Sequence, residues 1–134
     1  MNISAAARRS GLSAKTIRYY EQINLIAPAT RGENGYRQYD ERAVEELQFL
    51  ARARAVGFDL EEARQLLELQ RDPGRQSRHA RQLVLEKCDQ LQARIEQLRA
   101  MQAALQELAH RCKGDEGPEC AILEGLASAG GGPA

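Results

Sequence analysis

The segment Ser13-Ala-Lys-Thr-Ile-Arg-Tyr-Tyr-Glu21 predicts a short helix around which the N-terminal part of the fold can be built. Ser13 is a favoured N-cap residue, so the helix is expected to begin at the following alanine. Ile17 and Tyr20 lie three positions apart and therefore share one face, which is expected to pack against a neighbouring helix.

A first helix is predicted immediately before this segment. Ser4 can cap a helix over Ala5–Ser10, and Gly11 can end it. Two short helices joined by a Gly-containing turn of about three residues are typical of a helix-turn-helix. The second helix then points four side chains outward: Lys15, Thr16, Arg18 and Tyr19. Lys and Arg can reach guanine acceptors or phosphates in a major groove, and Tyr can bind a phosphate, although ordinary solvated charges would look the same.

A hairpin is predicted over Arg31-Gly-Glu-Asn-Gly-Tyr-Arg-Gln-Tyr39. Asn34-Gly35 is a strong signal for a two-residue type I′ turn, because both residues tolerate a positive φ. The arms carry Arg31 and Arg37, with Tyr36 close by. A basic, aromatic hairpin after a helix-turn-helix indicates a wing that lies on a DNA backbone, and the alternative is an edge hairpin that only completes the domain.

The charge distribution agrees with a polyanionic partner at one end of the chain. The formal net charge of the 134 residues is zero, but residues 1–39 carry six basic side chains against two acidic ones. The acidic residues gather further along the chain. A basic N-terminal part on a more acidic body is a weak indication of nucleic-acid binding.

Three more helices are predicted after the hairpin. Asp40 can cap a helix over Glu41–Ala55, and Asp59-Leu-Glu-Glu62 is a capping box for a helix reaching about Leu69. The third begins near Ser77 and continues to Arg111 without Gly or Pro, which makes it about 50 Å long. Its residues alternate in steps of four and three along one apolar seam: Val84, Cys88, Leu91, Ile95, Leu98, Gln102, Leu105, Ala109 and Cys112. This heptad pattern predicts an antiparallel two-stranded coiled coil in a homodimer.

Cys112 and Cys120 enclose a seven-residue loop rich in Gly, Pro and acidic residues. Soft thiolates select soft metals, and a pair of sulfurs suits Cu(I), Ag(I) or Au(I) better than structural zinc, which usually takes four ligands. A disulfide and two unrelated cysteines are the alternatives. Cys88 lies on the seam and is expected to be a buried apolar thiol. His79 and His110 are expected to be surface histidines, and the alternative is that either one adds a nitrogen ligand to the metal.

The sequence disfavours a secreted protein, a membrane-spanning protein and a disulfide-bonded framework. The start of the chain, Met1-Asn-Ile-Ser4, has no apolar signal segment, and no run is long enough to span a membrane. Three cysteines leave one unpaired in any bridging scheme. We therefore expect a cytoplasmic protein with no membrane contact, in which an accidental disulfide is unlikely to form.

Three motifs together resemble the MerR family of transcription regulators: Ile17-Arg-Tyr-Tyr-Glu21, the segment Arg31–Arg37, and Val56-Gly-Phe58. The Cys112–Cys120 loop, with Ser77 at the start of the long helix, is similar to the CueR-like branch, which responds to monovalent copper, silver or gold. Branches that sense divalent ions have a cysteine at the position of Ser77. The resemblance therefore implies one Cu(I), or Ag(I) or Au(I), at each pair of ligands Cys112 and Cys120.

The resemblance also implies a mode of action. Family members are dimers that hold a double-stranded promoter with an overlong spacer in both metal-free and metal-loaded states. Metal binding changes the DNA distortion so that RNA polymerase engages both promoter elements. On that resemblance, seven residues fall on DNA-contacting positions: Lys15, Arg18, Tyr19, Tyr20, Arg31, Tyr36 and Arg37.

The expected architecture is mainly α. It has a winged helix-turn-helix DNA-binding domain over 1–70, a dimerisation helix over 77–111, a metal-binding loop with a short helix over 112–128, and a disordered tail over 129–134. Three alternatives remain open. They are a regulator of the same fold that senses Zn(II) or another divalent ion, a thiol–disulfide redox enzyme, and a purely structural coiled-coil adaptor. No Cys-x-x-Cys pair is present to favour the enzyme.

Overall fold

The computed structural model describes residues 1–32 and 35–128. This part of the chain contains six helices and a two-stranded hairpin, as the sequence predicts: α1 Ile3–Ser10, α2 Ala14–Gln22, β1 Thr30–Arg31, β2 Arg37–Gln38, α3 Glu41–Ala55, α4 Leu60–Arg71, α5 Ser77–Arg111 and α6 Ala121–Ala127. The chain divides into a compact unit Met1–Lys87, which we call the head, and a second unit from Cys88 onward. The tail predicted over 129–134 lies outside the described residues. No helix in the described part is long and apolar enough to cross a membrane.

Helix α1 begins two residues earlier than predicted. Its N-cap is Asn2, whose side-chain oxygen accepts a hydrogen bond of 2.9 Å from the backbone N–H of Ala5, so the prediction of Ser4 as the cap is wrong. Asn and Ser cap helices about equally well, and residue type alone could not choose between them. The end of α1 is as expected, because Gly11 adopts a left-handed φ of 80°.

The hairpin joins β1 and β2 in an antiparallel pair, with Thr30 opposite Gln38 and Arg31 opposite Arg37. The backbone N–H of Gly32 donates to the carbonyl of Tyr36 at 2.9 Å. Three residues, 33–35, therefore connect Gly32 to Tyr36, whereas a type I′ turn would have two connecting residues. Gly35 has a φ of 79°, which fits the left-handed position that ends a three-residue connection. Asn34, the other residue of the predicted turn, lies outside the described residues.

Helices α3 and α4 begin at the caps predicted for them. Asp40 accepts from the backbone N–H of Ala43 at 2.8 Å, and Asp59 and Glu62 form both bonds of the capping box. Helix α3 packs against α1 and α4, while α1 packs against α2. The shared core contains thirteen buried apolar residues, with Ile17, Leu47, Leu50, Leu67 and Tyr39 among the largest fully buried side chains.

The first turns of α5 belong to the head, which extends past the domain end predicted at residue 70. Leu83 packs against the head core. The Nζ atom of Lys87 lies 2.8 Å from a carboxylate oxygen of Glu62 and 5.8 Å from the centre of the Phe58 ring. These contacts tie the start of the long helix to α4.

The rest of α5 carries an open apolar stripe. All residues of this helix are described, and none of them is buried. The large apolar residues of the predicted seam are exposed by between 41% at Leu91 and 65% at Leu105, and Cys88 is also exposed in the single chain. A helix that leaves a continuous stripe of Val, Leu and Ile in water is typical of one that pairs with another helix.

The capping box of α4 offers a test of this local structure. Replacing Asp59 with Ala removes the acceptor for the Glu62 backbone N–H, and we expect the free energy of unfolding to fall by about 1 kcal/mol. Urea denaturation at a fixed protein concentration measures the change. Glu61→Ala is the matched control: the Glu61 carboxylate forms an exposed ion pair with Arg64 at 3.6 Å, and its removal should change stability by less than about 0.5 kcal/mol. Equal effects of the two variants would contradict the capping role.

Candidate DNA-binding surface and metal centre

Helix α2 presents the predicted outer face to solvent. Lys15, Arg18 and Tyr19 are exposed, and about half of the Tyr19 surface is open. Thr16 is half-buried and belongs to the helix start: its backbone N–H donates to the Ser13 hydroxyl oxygen at 3.0 Å, and its own hydroxyl oxygen accepts from Ser13 at 2.9 Å. The outer face therefore offers two cations and one aromatic hydroxyl, with Thr16 at its edge.

Two roles are predicted for Tyr20. Helical spacing placed it against the core, whereas the family resemblance placed it on the DNA. Its side chain is only 5% exposed and belongs to the head core beside Ile17. The predicted packing role is confirmed, and the DNA contact of Tyr20 stays a prediction.

The hairpin, which we call the wing (residues 30–38), places its basic residues at the surface. Arg31, Tyr36 and Arg37 are all exposed, and Tyr36 by 70%. The Arg31 guanidinium donates to the carbonyl of Gly35 at 3.2 Å, which braces it across the wing. An open cleft of about 600 Å³ separates the wing from the helices and is lined by Asn2, Ile3, Ser4, Arg18, Tyr36, Arg37 and Gln38. Cations from α2 and from the wing thus share one concave surface.

One buried carboxylate connects α2 to the wing. Glu21 is 8% exposed, and its Oε2 atom accepts from Nη1 of Arg37 at 2.9 Å while its Oε1 atom accepts from the Tyr39 hydroxyl at 2.5 Å. Burial, and then the neighbouring Glu21, raises the pKa of Tyr39 to about 12, so this phenol remains protonated and continues to donate at neutral pH. Sequence analysis did not single out Glu21. Its place four residues after Ile17, on the buried face of α2, was the available signal.

The two cysteines of the predicted metal site lie side by side. The Sγ atoms of Cys112 and Cys120 are 3.6 Å apart, and both residues are partly exposed. They are free thiols, not a disulfide. Since two metal–sulfur bonds of roughly 2.3 Å span up to about 4.6 Å, a single ion can touch both sulfurs. The donor set therefore fits one soft metal ion.

Cys120 stands at the start of α6, where the chain enters the helix. It is the N-cap residue, although its side chain makes no regular capping hydrogen bond. The backbone N–H of Leu123, followed by the neighbouring Cys112 thiol, lowers the pKa of Cys120 below that of an ordinary cysteine. A lowered thiol pKa favours the thiolate, which is the form that binds metal.

A third donor is not brought to this pair within the single chain. Across residues 1–32 and 35–128, no group of three or more His, Cys, Asp and Glu side chains could hold a metal ion. His110 lies in the last turn of α5, and His79 near its beginning. Neither histidine joins a cluster of that kind.

Comparison with known proteins identifies the family. The model of the MerR helix-turn-helix family of regulatory proteins matches residues 1–70, and a second model, described as MerR, DNA binding, matches residues 44–108. The chain belongs to the MerR family. It is therefore a DNA-binding transcription regulator and not an enzyme, and the alternatives of a redox enzyme and of a purely structural adaptor are set aside.

Relatives of this MerR-family chain are similar over nearly its whole length. The regulator HmrR of Rhizobium leguminosarum bv. viciae is 47% identical over 126 residues, which are 94% of this chain and 97% of HmrR. The regulator CueR of Escherichia coli O157:H7 is 44% identical over 126 residues, or 94% of this chain and 93% of CueR. The crystal structure of the regulator PbrR691 from Ralstonia metallidurans CH34, in complex with lead(II), superposes with a TM-score of 0.82 at 32% identity, covering 95% of this chain and 99% of PbrR691.

The lowered pKa of Cys120 can be tested in the metal-free, reduced protein. A thiol with a lowered pKa keeps its thiolate to lower pH, so alkylation of Cys120 by iodoacetamide should have its midpoint at a lower pH than alkylation of a free cysteine. Mass spectrometry of the digested protein follows each cysteine separately across the pH series. The midpoint is compared instead of the rate, because the rate also depends on exposure. A Cys120 midpoint at or above that of free cysteine would contradict the effect of the Leu123 N–H.

Proposed function

We propose that this MerR-family chain is a metal-responsive regulator that binds promoter DNA as a dimer and activates genes for metal resistance or efflux when Cu(I), Ag(I) or Au(I) binds to Cys112 and Cys120. The observation that carries the proposal is the pair of free thiols 3.6 Å apart with no third protein donor beside them in the described chain. The proposed regulator acts in the cytoplasm, where thiols stay reduced and can bind the metal.

The two-sulfur donor set supports a monovalent ion. Bound metal would supply a positive charge that neutralises the two neighbouring thiolates, and soft thiolates select soft ions. Structural zinc usually takes four ligands, and Ser77 cannot provide the thiolate that the divalent branches have at that position. The resemblance to the CueR-like branch and the similarity to CueR agree with a copper-type ion. PbrR691, which shares the fold, is in complex with lead(II), so a divalent ion such as Zn(II) remains the second candidate.

The proposed DNA surface consists of the outer face of α2 and the wing. Lys15, Arg18 and Tyr19 would enter or border a major groove, with Thr16 at the edge. Arg31, Tyr36 and Arg37 would lie on the phosphate backbone, where exposed guanidinium groups are well suited to bind anions. The cleft between these two groups of residues is open and cationic, as a surface that follows a duplex requires.

The dimer is supported by the exposed stripe on α5. The seam residues between Val84 and Leu105 are open in the single chain, and pairing with a second copy would remove them from water. An antiparallel pair would put one head at each end and match two half-sites on the promoter. RNA polymerase is the proposed partner at that promoter, since the family acts by changing DNA distortion.

Cysteine substitutions test the metal site. Cys112→Ser or Cys120→Ser removes one of the two soft ligands, and we expect either change to abolish transcription activation by Cu(I). Operator affinity should change by less than about threefold, because neither residue belongs to the head. In vitro transcription with and without Cu(I), together with a gel shift, measures both quantities.

Cys88→Ala is the matched control for these variants. It removes a cysteine that lies outside the pair and keeps an apolar side chain on the seam, so Cu(I) activation should be retained. Undiminished activation in both Cys112→Ser and Cys120→Ser would refute the proposed site.

The identity of the ion is tested by competition. The protein should take Cu(I) from a Cu(I) chelator, while Zn(II) should give no transcription activation at the same occupancy. X-ray absorption of the loaded protein should then find two sulfur neighbours around copper. Four-coordinate zinc in an activating complex would favour the divalent alternative.

The wing is tested by the dependence of DNA affinity on salt. Each phosphate contact contributes about 0.9 to the slope of log affinity against log salt concentration. Arg31→Ala should therefore weaken binding on all sequences and reduce the slope by about 1. Arg94→Ala, which removes an exposed arginine from the middle of α5, is the control and should leave the slope unchanged. A slope that stays the same in Arg31→Ala would remove Arg31 from the backbone contacts.

A further inference from the structure

The carboxylate of Glu21 is the one acidic group of α2, and it lies on the face of that helix that is turned away from the proposed DNA contacts. Its side chain is 7% exposed. Taking a carboxylate out of water is costly unless it is paired and hydrogen-bonded. An apolar residue would complete the core at less cost, so the presence of a charge here requires a reason beyond packing.

The two partners of Glu21 lie at the two ends of strand β2 of the wing. Arg37 opens the strand and Tyr39 follows it, and each bonds a different oxygen of the carboxylate. The Tyr39 side chain is itself only 2% exposed, so this end of the tether is fixed in the core. The carboxylate thus joins the last turns of α2 to the wing at two points.

The wing needs such a tether because its own pairing is minimal. Each strand has two residues, and they form two residue pairs. A two-stranded hairpin alone is marginally stable in water, and longer strands or packing against other elements are required to hold it. The backbone of Tyr39 is held by Met1, donating to the Met1 carbonyl at 2.7 Å and accepting from the N-terminal ammonium at 2.8 Å. The bonds to Glu21 add the direct connection between the wing and α2.

Arg37 keeps donors for a second partner while it is held. A guanidinium has five N–H donors, and the bond to Glu21 uses Nη1. The Arg37 side chain remains 42% exposed. The same residue can consequently be fixed by Glu21 on one side and bind a phosphate on the other.

We propose that Glu21 is a positioning residue for DNA binding: its buried carboxylate sets the wing so that Arg31 and Arg37 meet the backbone of the duplex that α2 reads. This inference rests on the DNA surface proposed above. Glu21 itself touches no DNA, and it acts through Arg37 and the strand that carries it.

Glu21→Gln is the isosteric test. The amide carries no charge, so the ion pair with Arg37 is lost, and the NH₂ group that replaces one carboxylate oxygen cannot accept a hydrogen bond. We expect operator affinity to fall about tenfold, and the slope of log affinity against log salt to decrease by about 2, because the contacts of Arg31 and Arg37 are both lost. A side chain that only stabilises the fold would not change the salt slope of the folded protein.

A double-mutant cycle locates the effect in the wing. In the Glu21→Gln background, Arg31→Ala should cost little further affinity, since its contact is already absent. Lys15→Ala is the matched control on α2 itself, and its cost should be the same in both backgrounds. Fluorescence anisotropy with an operator duplex measures all the affinities, and thermal unfolding checks that each variant is folded.

The outcomes are distinguishable. If Arg31→Ala is costly in the parent protein and equally costly in Glu21→Gln, the positioning role is overturned while the DNA surface stands. If Arg31→Ala has no effect in the parent protein, the DNA surface itself is wrong, and this inference falls with it. Should Glu21→Gln fail to fold, Tyr39→Phe removes one arm of the tether but keeps the charge and the buried ring. It should weaken binding about threefold and be non-additive with Arg31→Ala, and an unchanged affinity would overturn the proposal.

Discussion

The fold of the head depends on burying one face of α2 in a small shared core. Ile17 and Tyr20 belong to the same buried core as the α3 residues Leu47 and Leu50. Because side chains recur every 3.6 residues, fixing this inner face also fixes the direction of the outer one. The exposure of Lys15, Arg18 and Tyr19 on a common side is a consequence of core packing, and the basic surface is as rigid as the core behind it.

The long helix α5 carries an apolar stripe that is exposed to solvent in the single chain. The first turns of α5 are held by the head, because Leu83 packs against the core and Lys87 lies beside Glu62 and Phe58. The large apolar seam residues from Val84 to Leu105 are 41% to 65% exposed in the single chain. The excess apolar surface is therefore not a defect of packing within the chain, and it is the feature that makes a second copy necessary in the proposed dimer.

Local signals were predicted well from the sequence, and contacts between distant residues were not. Asp40 and Asp59 cap their helices as expected, since a cap needs only residues three positions apart. The prediction of the two hairpin strands is confirmed, but the connection between them is one residue longer than the predicted turn. The pairing of residues across the strands sets this register, and it cannot be inferred from the turn sequence alone. The bond from Arg37 to Glu21 spans sixteen positions and has no periodic signature. Similarly, the pattern of cysteines suggested a metal pair but could not supply the sulfur–sulfur distance of 3.6 Å.

That distance is set by helix packing as well as by the loop between the cysteines. Cys112 directly follows α5, and Cys120 is the N-cap of α6, so the two sulfurs move with the two helices. The helices approach closely at Gly125, where an added Cβ atom would lie 2.9 Å from Cδ2 of Leu108. A side chain at this position would require either the Leu108 side chain or α6 to move. Conversely, an ion that requires a different separation would have to move Cys112 and Cys120 relative to each other, and with them the end of α5 or the start of α6. In the proposed regulator, an ion held by both sulfurs would join the end of α5 to the start of α6, and a change in the position of α6 is the kind of discrete movement that a regulator can transmit.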